Sequence, residues 1–371
     1  MNETIVLFLR GRIDAGDFPS AVYLVAENGE IVFQDALGFA VVEPGRIQAR
    51  LDTIYDLASL TKVLVTGLLA AMLIDKGQLS VETTLGSVFG DRAGDKSELR
   101  VFDLVTHTSK LPAWMPFYLL ASHPDEIFER IIETSFADDQ EPVTYSDLNF
   151  ILLGRLVEAI AGRSLDVAFD EAVSESLGLR YTRFCPPADW RAKIAASEKG
   201  NEHEHHSCRQ TFPDLSVSAS DFRGDIVWGE VHDGNAHFMG GVSGHAGLFS
   251  TANEVFKIAQ QFLPDYTTLL KPGTCELFRT NFTPGLNEDR SFAFQLASTK
   301  DSTAGKKMWS ESFGHLGFTG TSLWIDPKTQ RIFVLLTNRT HNHSLPFVNI
   351  NSVRRQFHDI AIDQLVEKTS N

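Results

Sequence analysis

The segment from residue 59 to residue 76 constrains the fold of this chain more than any other. It reads SLTKVLVTGLLAAMLIDK, and its few polar positions lie near its start. A helix that is apolar on nearly every face must be buried inside a larger protein. Ser59 stands at an N-cap or first-turn position and Gly77 at a C-cap position, so the sequence predicts a helix between them. The 371 residues suffice to bury that helix in a sizeable core.

Strand patterns occur near both ends of the chain. Residues 20–36 hold two β-rich runs on either side of Asn28-Gly29, the strongest short-range hairpin signal. Toward the other end we predict two strands, at about 315–325 and 331–337, followed by a terminal helix at about 352–368. Both ends therefore contribute strands and a helix.

The middle of the chain is dominated by helical patterns. Residues 147–162 and 165–177 show helical periodicity. The stretch 185–235 contains Pro186-Pro187, several glycines and no strong period. A loop region of this length is usually functional or covers another domain.

These patterns predict an α/β (α+β) fold. In this fold an antiparallel sheet built from both chain ends is flanked by helices, and a mainly helical domain is inserted between its halves. We place the sheet domain at residues 1–65 and 235–371. The inserted domain, with its long loops, is placed at residues 66–234.

The composition excludes several classes of partner. The 33 basic and 48 acidic residues give a net charge of −15, so we expect no attraction to nucleic acid or anionic lipid. Three cysteines do not indicate a disulfide framework. The apolar run at residues 5–9 is too short for a secretory signal, and no run approaches the ~18 residues of a membrane span. We expect a cytoplasmic protein, or a periplasmic or secreted one if a signal has been trimmed.

Ser59 and Lys62 are the first candidates for chemistry. Their spacing of three places a hydroxyl and an amine on one helix face. Serine is a poor nucleophile and needs an adjacent base, and burial in apolar surroundings lowers the pKa of a lysine enough to supply one. On these residues alone, a structural alternative stays open, in which Ser59 is an N-cap and the Lys62 side chain reaches solvent.

Two further groups of residues carry possible chemistry. Tyr145-Ser146-Asp147 precedes an apolar helix, and a tyrosine near a lysine ammonium can act as acid or base. His315-Leu316-Gly317 begins a predicted strand whose small residues let a substrate backbone approach. His315 can bind a carboxylate when protonated or donate a hydrogen bond when neutral. Helix capping by Ser146 or Asp147 is compatible with an acid or base role for Tyr145.

A metal site is the rival interpretation. Residues 203–208 carry His203, Glu204, His205, His206 and Cys208, and zinc binds such ligands. No second pair of Cys or His residues at zinc-finger spacing lies nearby, although His232-Asp233 and His245 could complete a site. The alternative is that residues 203–208 form a polar surface loop. We expect no resident metal, and the absence of G-x-G-x-x-G and Walker A patterns predicts no nucleotide cofactor. The segment His232–Asn235 receives no chemical role.

The three groups occur in the order of the motifs of the serine β-lactamase and penicillin-binding-protein superfamily. The chain resembles its class-C-like branch, which includes DD-peptidases and esterases, over about residues 15–365. Further segments that resemble this branch are HTSKLP (107–112), YSDLNFILLGRLVEAIAGRSL (145–165), GHAGLFSTANEV (244–255) and GHLGFTGTSLWIDP (314–327). The resemblance implies a β-lactamase/transpeptidase-like fold.

The resemblance also implies roles for individual residues. Ser59 is the expected acylated nucleophile, and Lys62 and Tyr145 are expected to move its proton. The backbone N–H groups of Ser59 and Phe318 are the expected oxyanion hole. His315 takes the place of the lysine in the family's K-T-G element.

The chain departs from the family pattern at the positions expected to contact substrate. Asp147 stands where the second motif usually has Asn, and an ionised Asp only accepts hydrogen bonds. Gly317 and Thr319 complete the expected substrate-binding set. With His315, carboxylate binding is expected to be weaker and to require low pH. Both departures favour an esterase or a peptidase-like enzyme over an efficient β-lactamase.

The class A alternative is disfavoured, because no E-x-x-L-N pattern lies between residues 150 and 200. We therefore predict a serine hydrolase that forms an acyl-enzyme on Ser59. Its small-molecule or peptide substrate is a β-lactam, a D-alanyl peptide or a simple ester. The alternatives are a slow penicillin-binding or sensor protein and a metal-binding protein that uses residues 203–208.

Overall fold

The computed structural model describes residues 3–137, 139–341 and 345–370. The strands in chain order are β1 (Ser20–Glu27), β2 (Glu30–Val41), β3 (Ile47–Gln48), β4 (Tyr55–Asp56), β5 (Arg183–Phe184), β6 (Leu248–Ser250), β7 (Gln295–Leu296), β8 (Phe313–Leu316), β9 (Ser322–Asp326) and β10 (Arg331–Thr337). A seven-stranded sheet has the order β3-β2-β1-β10-β9-β8-β7, and a three-stranded sheet has the order β4-β6-β5. The predicted antiparallel sheet from both chain ends is confirmed.

Helices cover the sheet and fill the middle of the chain. They are α1 (Glu3–Asp14), α2 (Leu68–Asp75), α3 (Leu85–Phe89), α4 (Val101–Val105), α5 (Phe117–Leu120), α6 (Ile127–Glu133), α7 (Asp147–Ala161), α8 (Leu165–Phe169), α9 (Glu175–Leu177), α10 (Glu202–Thr211), α11 (Gly234–Phe238), α12 (Ala252–Ala259), α13 (Glu276–Arg279) and α14 (Asn351–Ser370). The predicted helices at 147–162 and 352–368 correspond to α7 and α14 within a few residues.

The hairpin at the start of the chain forms as predicted. Asn28 and Gly29 connect β1 to β2, and both adopt positive φ angles, of 51° and 80°. A two-residue hairpin turn needs this left-handed backbone, which asparagine and glycine adopt more readily than other residues. The turn therefore fixes the pairing of the first two strands.

Strand β1 separates two hydrophobic cores. Val22 and Leu24 pack in one cluster with Leu64 of the buried segment, whereas Tyr23 packs with Phe357 of α14 on the other face. Successive side chains of a strand point to opposite faces, so a central strand that is buried on both sides is apolar at every position. The sheet is thus covered by the terminal helices on one face and by the buried segment on the other.

The buried segment is not one regular α-helix, which corrects the expectation for residues 59–76. Ser59 lies in a turn, Lys62–Gly67 form a π-helical stretch, and α2 follows. The Thr66 hydroxyl donates to the Gly244 carbonyl oxygen at 2.7 Å, which ties the wide turns to a distant loop. Local periodicity does not report such long-range contacts. A π-helical turn is common at functional sites.

The predicted strand at 315–325 is wrong, because a turn divides it. Strand β8 ends at Leu316 and β9 begins at Ser322. Between them, the Gly317 N–H donates to the Thr321 carbonyl oxygen at 2.8 Å, and Gly320 has a φ of 115°. The glycines that suggested a close substrate approach therefore also form the turn.

The stretch 185–235 contains more structure than predicted, because α10 lies within it. Its sequence EHEHHSCRQT is polar at nearly every position and lacks an apolar stripe, so periodicity gives no signal. Glu204 and Cys208, four residues apart, form its buried face. The helix is stabilised by packing that the sequence pattern does not reveal.

The proposed division into two domains stays a prediction. Strand β5, from the segment assigned to the inserted domain, pairs with β6 of the segment assigned to the sheet domain. Within the described residues, no helix combines the length and the apolar character needed to cross a membrane.

The close packing of Gly244 against Gly154 on α7 can be tested by substitution. A side chain at Gly244 would overlap the Phe150 carbonyl oxygen and crowd Gly154 on α7. We expect Gly244→Ala to lower the free energy of unfolding by about 1–3 kcal/mol, the usual cost of overpacking. Denaturant unfolding measures the change. The control is Gly11→Ala in α1, where nothing lies within 4 Å and alanine favours the helix. Equal stability of the two variants would contradict the expected close packing.

Candidate active site

Ser59 opens onto a cavity of about 900 Å³ between the two sheets and the helical region. The turn that presents it contains Ala58, whose φ of 47° is unusual for a residue with a side chain. Asp56 holds this turn, because one carboxylate oxygen accepts from the Ala58 N–H at 2.8 Å and the other from the His232 N–H at 2.7 Å. The serine is thus fixed on a strained but well-supported backbone.

Lys62 lies directly beneath Ser59. Its Nζ donates to the Ser59 Oγ at 2.8 Å and to the His245 carbonyl oxygen at 3.0 Å, and it lies 2.7 Å from the Asp147 Oδ1. The lysine side chain has no solvent exposure. The prediction that the amine reaches the serine instead of solvent therefore agrees with the geometry.

The charge of Asp147 decides the state of Lys62. Burial opposes the ammonium form, but Asp147 and then Tyr145 outweigh it, so the pKa of Lys62 lies above its ordinary value. The expectation of a lysine with a lowered pKa is therefore wrong for the resting site. The physical reason is that Asp147 stands where the family usually has an uncharged asparagine. Its negative charge stabilises the ammonium form of Lys62.

Tyr145 completes the group around the serine. The Lys62 Nζ lies 5.1 Å from the centre of its ring, and the tyrosine hydroxyl is within reach of both Lys62 and Ser59. Loss of solvent in the cavity wall raises the pKa of Tyr145, against the opposing effect of the Lys62 charge. At rest the tyrosine is a neutral phenol.

His107 supports this arrangement from behind, and sequence analysis gave it no role. Its Nδ1 accepts from the backbone N–H of Ser146 at 3.1 Å, and its ring lies 4.7 Å from that of Tyr145. Burial and the Arg290 charge hold the pKa of His107 well below its usual range. Its place in the HTSKLP segment was the available signal.

His315 lies on the opposite wall, with its ring centre 5.7 Å from that of Tyr145. Its Nδ1 is 2.9 Å from the Leu316 carbonyl oxygen, which only accepts hydrogen bonds, so Nδ1 carries the proton. Burial and the Lys62 charge hold the pKa of His315 well below its usual range. At neutral pH its Nε2 is therefore an acceptor, and the expected imidazolium that binds a carboxylate does not fit this geometry.

The turn after β8 contains the second predicted oxyanion donor, the backbone N–H of Phe318. The hydroxyl of Thr319 donates to the Asp56 carbonyl oxygen at 2.8 Å, and that of Thr321 to the Leu57 carbonyl oxygen at 2.9 Å. A side chain at Gly317 would overlap both Thr321 and Leu57. These contacts fasten the turn to the segment before Ser59.

The backbone amides of Ser59 and Phe318 are free to act on a bound group. Neither N–H donates to another acceptor within the described ranges. Gly317, Phe318 and Asp147 line the cavity. The buried hydroxyl of Thr319 is used in the turn instead, and its contact with substrate stays a prediction.

A second polar chain reaches the site from Asp233 and His245, which the sequence analysis considered only as possible metal ligands or, for Asp233, as part of the cleft lining. The His245 Nε2 contacts the Asp233 Oδ1 at 2.9 Å, and its Nδ1 contacts the Ser243 Oγ at 2.8 Å. Burial alone would raise the pKa of Asp233. The contact with His245 and the hydrogen bond from the Ala236 N–H outweigh burial and lower that pKa. This chain holds the His245 carbonyl oxygen that accepts from Lys62.

The cluster at 203–208 does not converge on a metal. His203 stacks on Phe318 at 4.8 Å, His205 packs on Phe222 at 4.8 Å, and the Glu204 Oε1 accepts from the Gly234 N–H at 2.8 Å. Within the described residues, the ligand atoms that cluster within 4.8 Å belong instead to Asp147, Asp233 and His245. The Lys62 ammonium already neutralises Asp147 there.

A family comparison decides what kind of site this is. A model of the beta-lactamase family matches residues 8–354. The chain belongs to the beta-lactamase family. This membership confirms the predicted class of enzyme, a serine hydrolase of this family, and the predicted fold.

Relatives and solved structures agree with this family. A protein of Salmonella gallinarum named putative D-alanyl-D-alanine carboxypeptidase is 31% identical, over 93% of this chain and 84% of its own length. A class C beta lactamase from Rhodobacter sphaeroides superposes with a TM-score of 0.71 at 17% identity, over 98% of this chain and 99% of its own. EstCE1, a hydrolase with promiscuous acyltransferase activity, gives a TM-score of 0.71 at 19% identity, over 97% and 99%. These two structures show the shared fold.

The protonation of His315 provides a direct test of the site geometry. We expect the Nδ1–H tautomer to persist between about pH 5.5 and pH 8, because the folded protein depresses a pKa that is ordinarily about 6.5. Nitrogen-15 NMR of labelled histidine, assigned with His315→Gln, measures the tautomer. The exposed His123 is the internal reference. Titration of His315 near pH 6.5 would contradict the buried neutral state.

Proposed function

We propose that the protein cleaves a small peptide or ester through an acyl-enzyme on Ser59. The observation that carries the proposal is the 2.8 Å contact between the Ser59 Oγ and the Lys62 Nζ at the wall of a large cavity. A serine becomes an effective nucleophile only beside a group that manages its proton. Tyr145 lies within reach of the same two atoms.

The proposed reaction has two steps. The Ser59 Oγ attacks the carbonyl carbon while its proton leaves toward Lys62, and the bond to the departing nitrogen or oxygen then breaks. The N–H groups of Ser59 and Phe318 stabilise the negative charge on the carbonyl oxygen. Water then attacks the acyl-enzyme, releases the acid and restores the serine.

We further propose a D-alanyl peptide as the preferred substrate class. Support comes from the name of the relative that is 31% identical over most of both chains. The neutral acceptor of His315 and the carboxylate of Asp147 both favour a substrate that offers N–H groups to the cavity wall. A cytoplasmic location and the absence of nucleic-acid partners stay predictions.

Variants of the central pair test the mechanism. Ser59→Ala should abolish turnover, and Lys62→Ala should slow acylation by about 10³-fold or more, since the proton of the serine loses its route. Acylation is measured by stopped flow with a p-nitrophenyl ester and by intact-protein mass spectrometry. The matched control is Lys76→Ala, because Lys76 is an exposed lysine directly after α2. Appreciable turnover by folded Ser59→Ala would overturn the mechanism.

The substrate class is tested with three compounds. We expect release of D-alanine from a D-alanyl-D-alanine peptide to exceed hydrolysis of benzylpenicillin. Rapid loss of penicillin with no adduct would instead indicate a β-lactamase. A persistent penicillin adduct without turnover of any compound would indicate a sensor protein. Turnover of the ester alone would indicate an esterase.

A further inference from the structure

Lys62 is placed between the serine and a second acceptor. Its Nζ lies 2.8 Å from the Ser59 Oγ and 2.7 Å from the Asp147 Oδ1. Paired with a carboxylate, the amine is an ammonium with three protons and no lone pair. An ammonium cannot take the Ser59 proton unless it passes one of its own protons on. The proposed acylation therefore needs an acceptor beyond Lys62.

We propose that Asp147 is this acceptor and that it takes the serine proton by relay through Lys62. As the Ser59 Oγ bonds to the carbonyl carbon, its proton moves to Nζ and one Nζ proton moves to the Asp147 carboxylate. Lys62 stays an ammonium, Asp147 becomes a neutral acid, and the substrate oxygen carries the negative charge. When the intermediate collapses, the reverse path returns the proton to the departing group. This inference rests on the proposed acyl-enzyme function.

Asp147 is better suited to accept a proton than the neighbouring carboxylate. Its Oδ1 lies 2.7 Å from the Lys62 Nζ, and within the described residues no other group donates a hydrogen bond to that oxygen. Asp233, by contrast, accepts from the Ala236 N–H at 2.8 Å and pairs with His245 at 2.9 Å. Those bonds stabilise the anionic form of Asp233 and lower its pKa, so Asp233 is a poor proton acceptor.

Three groups near the pair, Tyr145, His107 and His315, hold fixed protonation states around neutral pH. Burial and solvent loss keep Tyr145 a phenol and keep His107 and His315 neutral. Burial beside Asp233 raises the pKa of Glu204 to about 7, and Glu204 stays the same in every variant considered below. The titratable and charged groups that face the pair are Tyr145, His107, His315, Asp233, His245 and Arg290.

The substitution Asp147→Asn restores the amide that is usual in the family and removes both the proton acceptor and the negative charge beside Lys62. Lys62 must then be neutral before it can take the serine proton. The acid limb of the pH profile, the fall in rate toward low pH, should therefore move from the range of a carboxylate to about pH 8, about four pH units higher. The acylation rate with p-nitrophenyl acetate should fall about tenfold or more at pH 7 and recover above about pH 9. Asp147→Glu should keep the limb at low pH.

The pH profile separates this role from a structural one. A purely structural effect would reduce the acylation rate by the same factor at every pH. The pH at which the rate falls would then not change, and that result would overturn the proposal. Asp166→Asn removes a charge from the first turn of α8 and should leave both the limb and the rate unchanged. Thermal unfolding of each variant shows that the compared proteins are folded.

A measurement on the unaltered enzyme keeps the proposal testable if Asp147→Asn does not fold. Two protons move together in the relay, so the acylation rate in mixtures of H₂O and D₂O should follow a curved, two-proton dependence. A linear dependence would overturn the relay. The proposed function fails separately, when the unaltered protein forms no acyl adduct on Ser59 with any of the compounds.

Discussion

The burial of one ammonium group organises this protein. Lys62 has no solvent exposure, and an isolated charge in that position would cost several kcal/mol. The fold meets this cost with the Ser59 hydroxyl, the Asp147 carboxylate and the carbonyl oxygen of His245. Because these partners come from three distant parts of the chain, the charge is stabilised only when those parts have assembled. The same contacts that stabilise the lysine also place it against the serine.

The opposite wall of the site is formed by the turn after β8, which is held in place by hydrogen bonds to backbone carbonyl oxygens. Thr319 and Thr321 donate to carbonyl oxygens of the segment that precedes Ser59, and Gly317 allows the close approach. The turn that contains Phe318 is therefore fastened to the segment that carries Ser59. Stabilisation of a developing oxyanion depends on such preorganised donors.

The sequence predicted most of the fold and the central residues of the site. The Asn28-Gly29 turn, the apolar run within strand β10 and the apolar faces of α7 leave clear local patterns. Ser59 and Lys62, which are three residues apart in sequence, are also in contact in the structure. Local patterns fail where distant contacts decide the structure. The π-helical stretch after Ser59 is such a case.

The missed features have the same physical origin. The roles of His107, Asp233 and His245 arise from buried partners that are far away in sequence. The protonation of His315 is also decided by its surroundings, since burial and the Lys62 charge override the ordinary behaviour of imidazole. Residue type and spacing therefore indicate which side chains can react, whereas their charge states require the folded structure.

The guanidinium of Arg354, on α14, donates to the carbonyl oxygens of Gly317 and Thr321 at 2.9 and 3.0 Å. The turn beside the nucleophile is thus braced by a helix that also packs on the far face of the sheet, through Val353 and Phe357. One helix therefore couples the hydrophobic core on that face to the position of the turn beside Ser59.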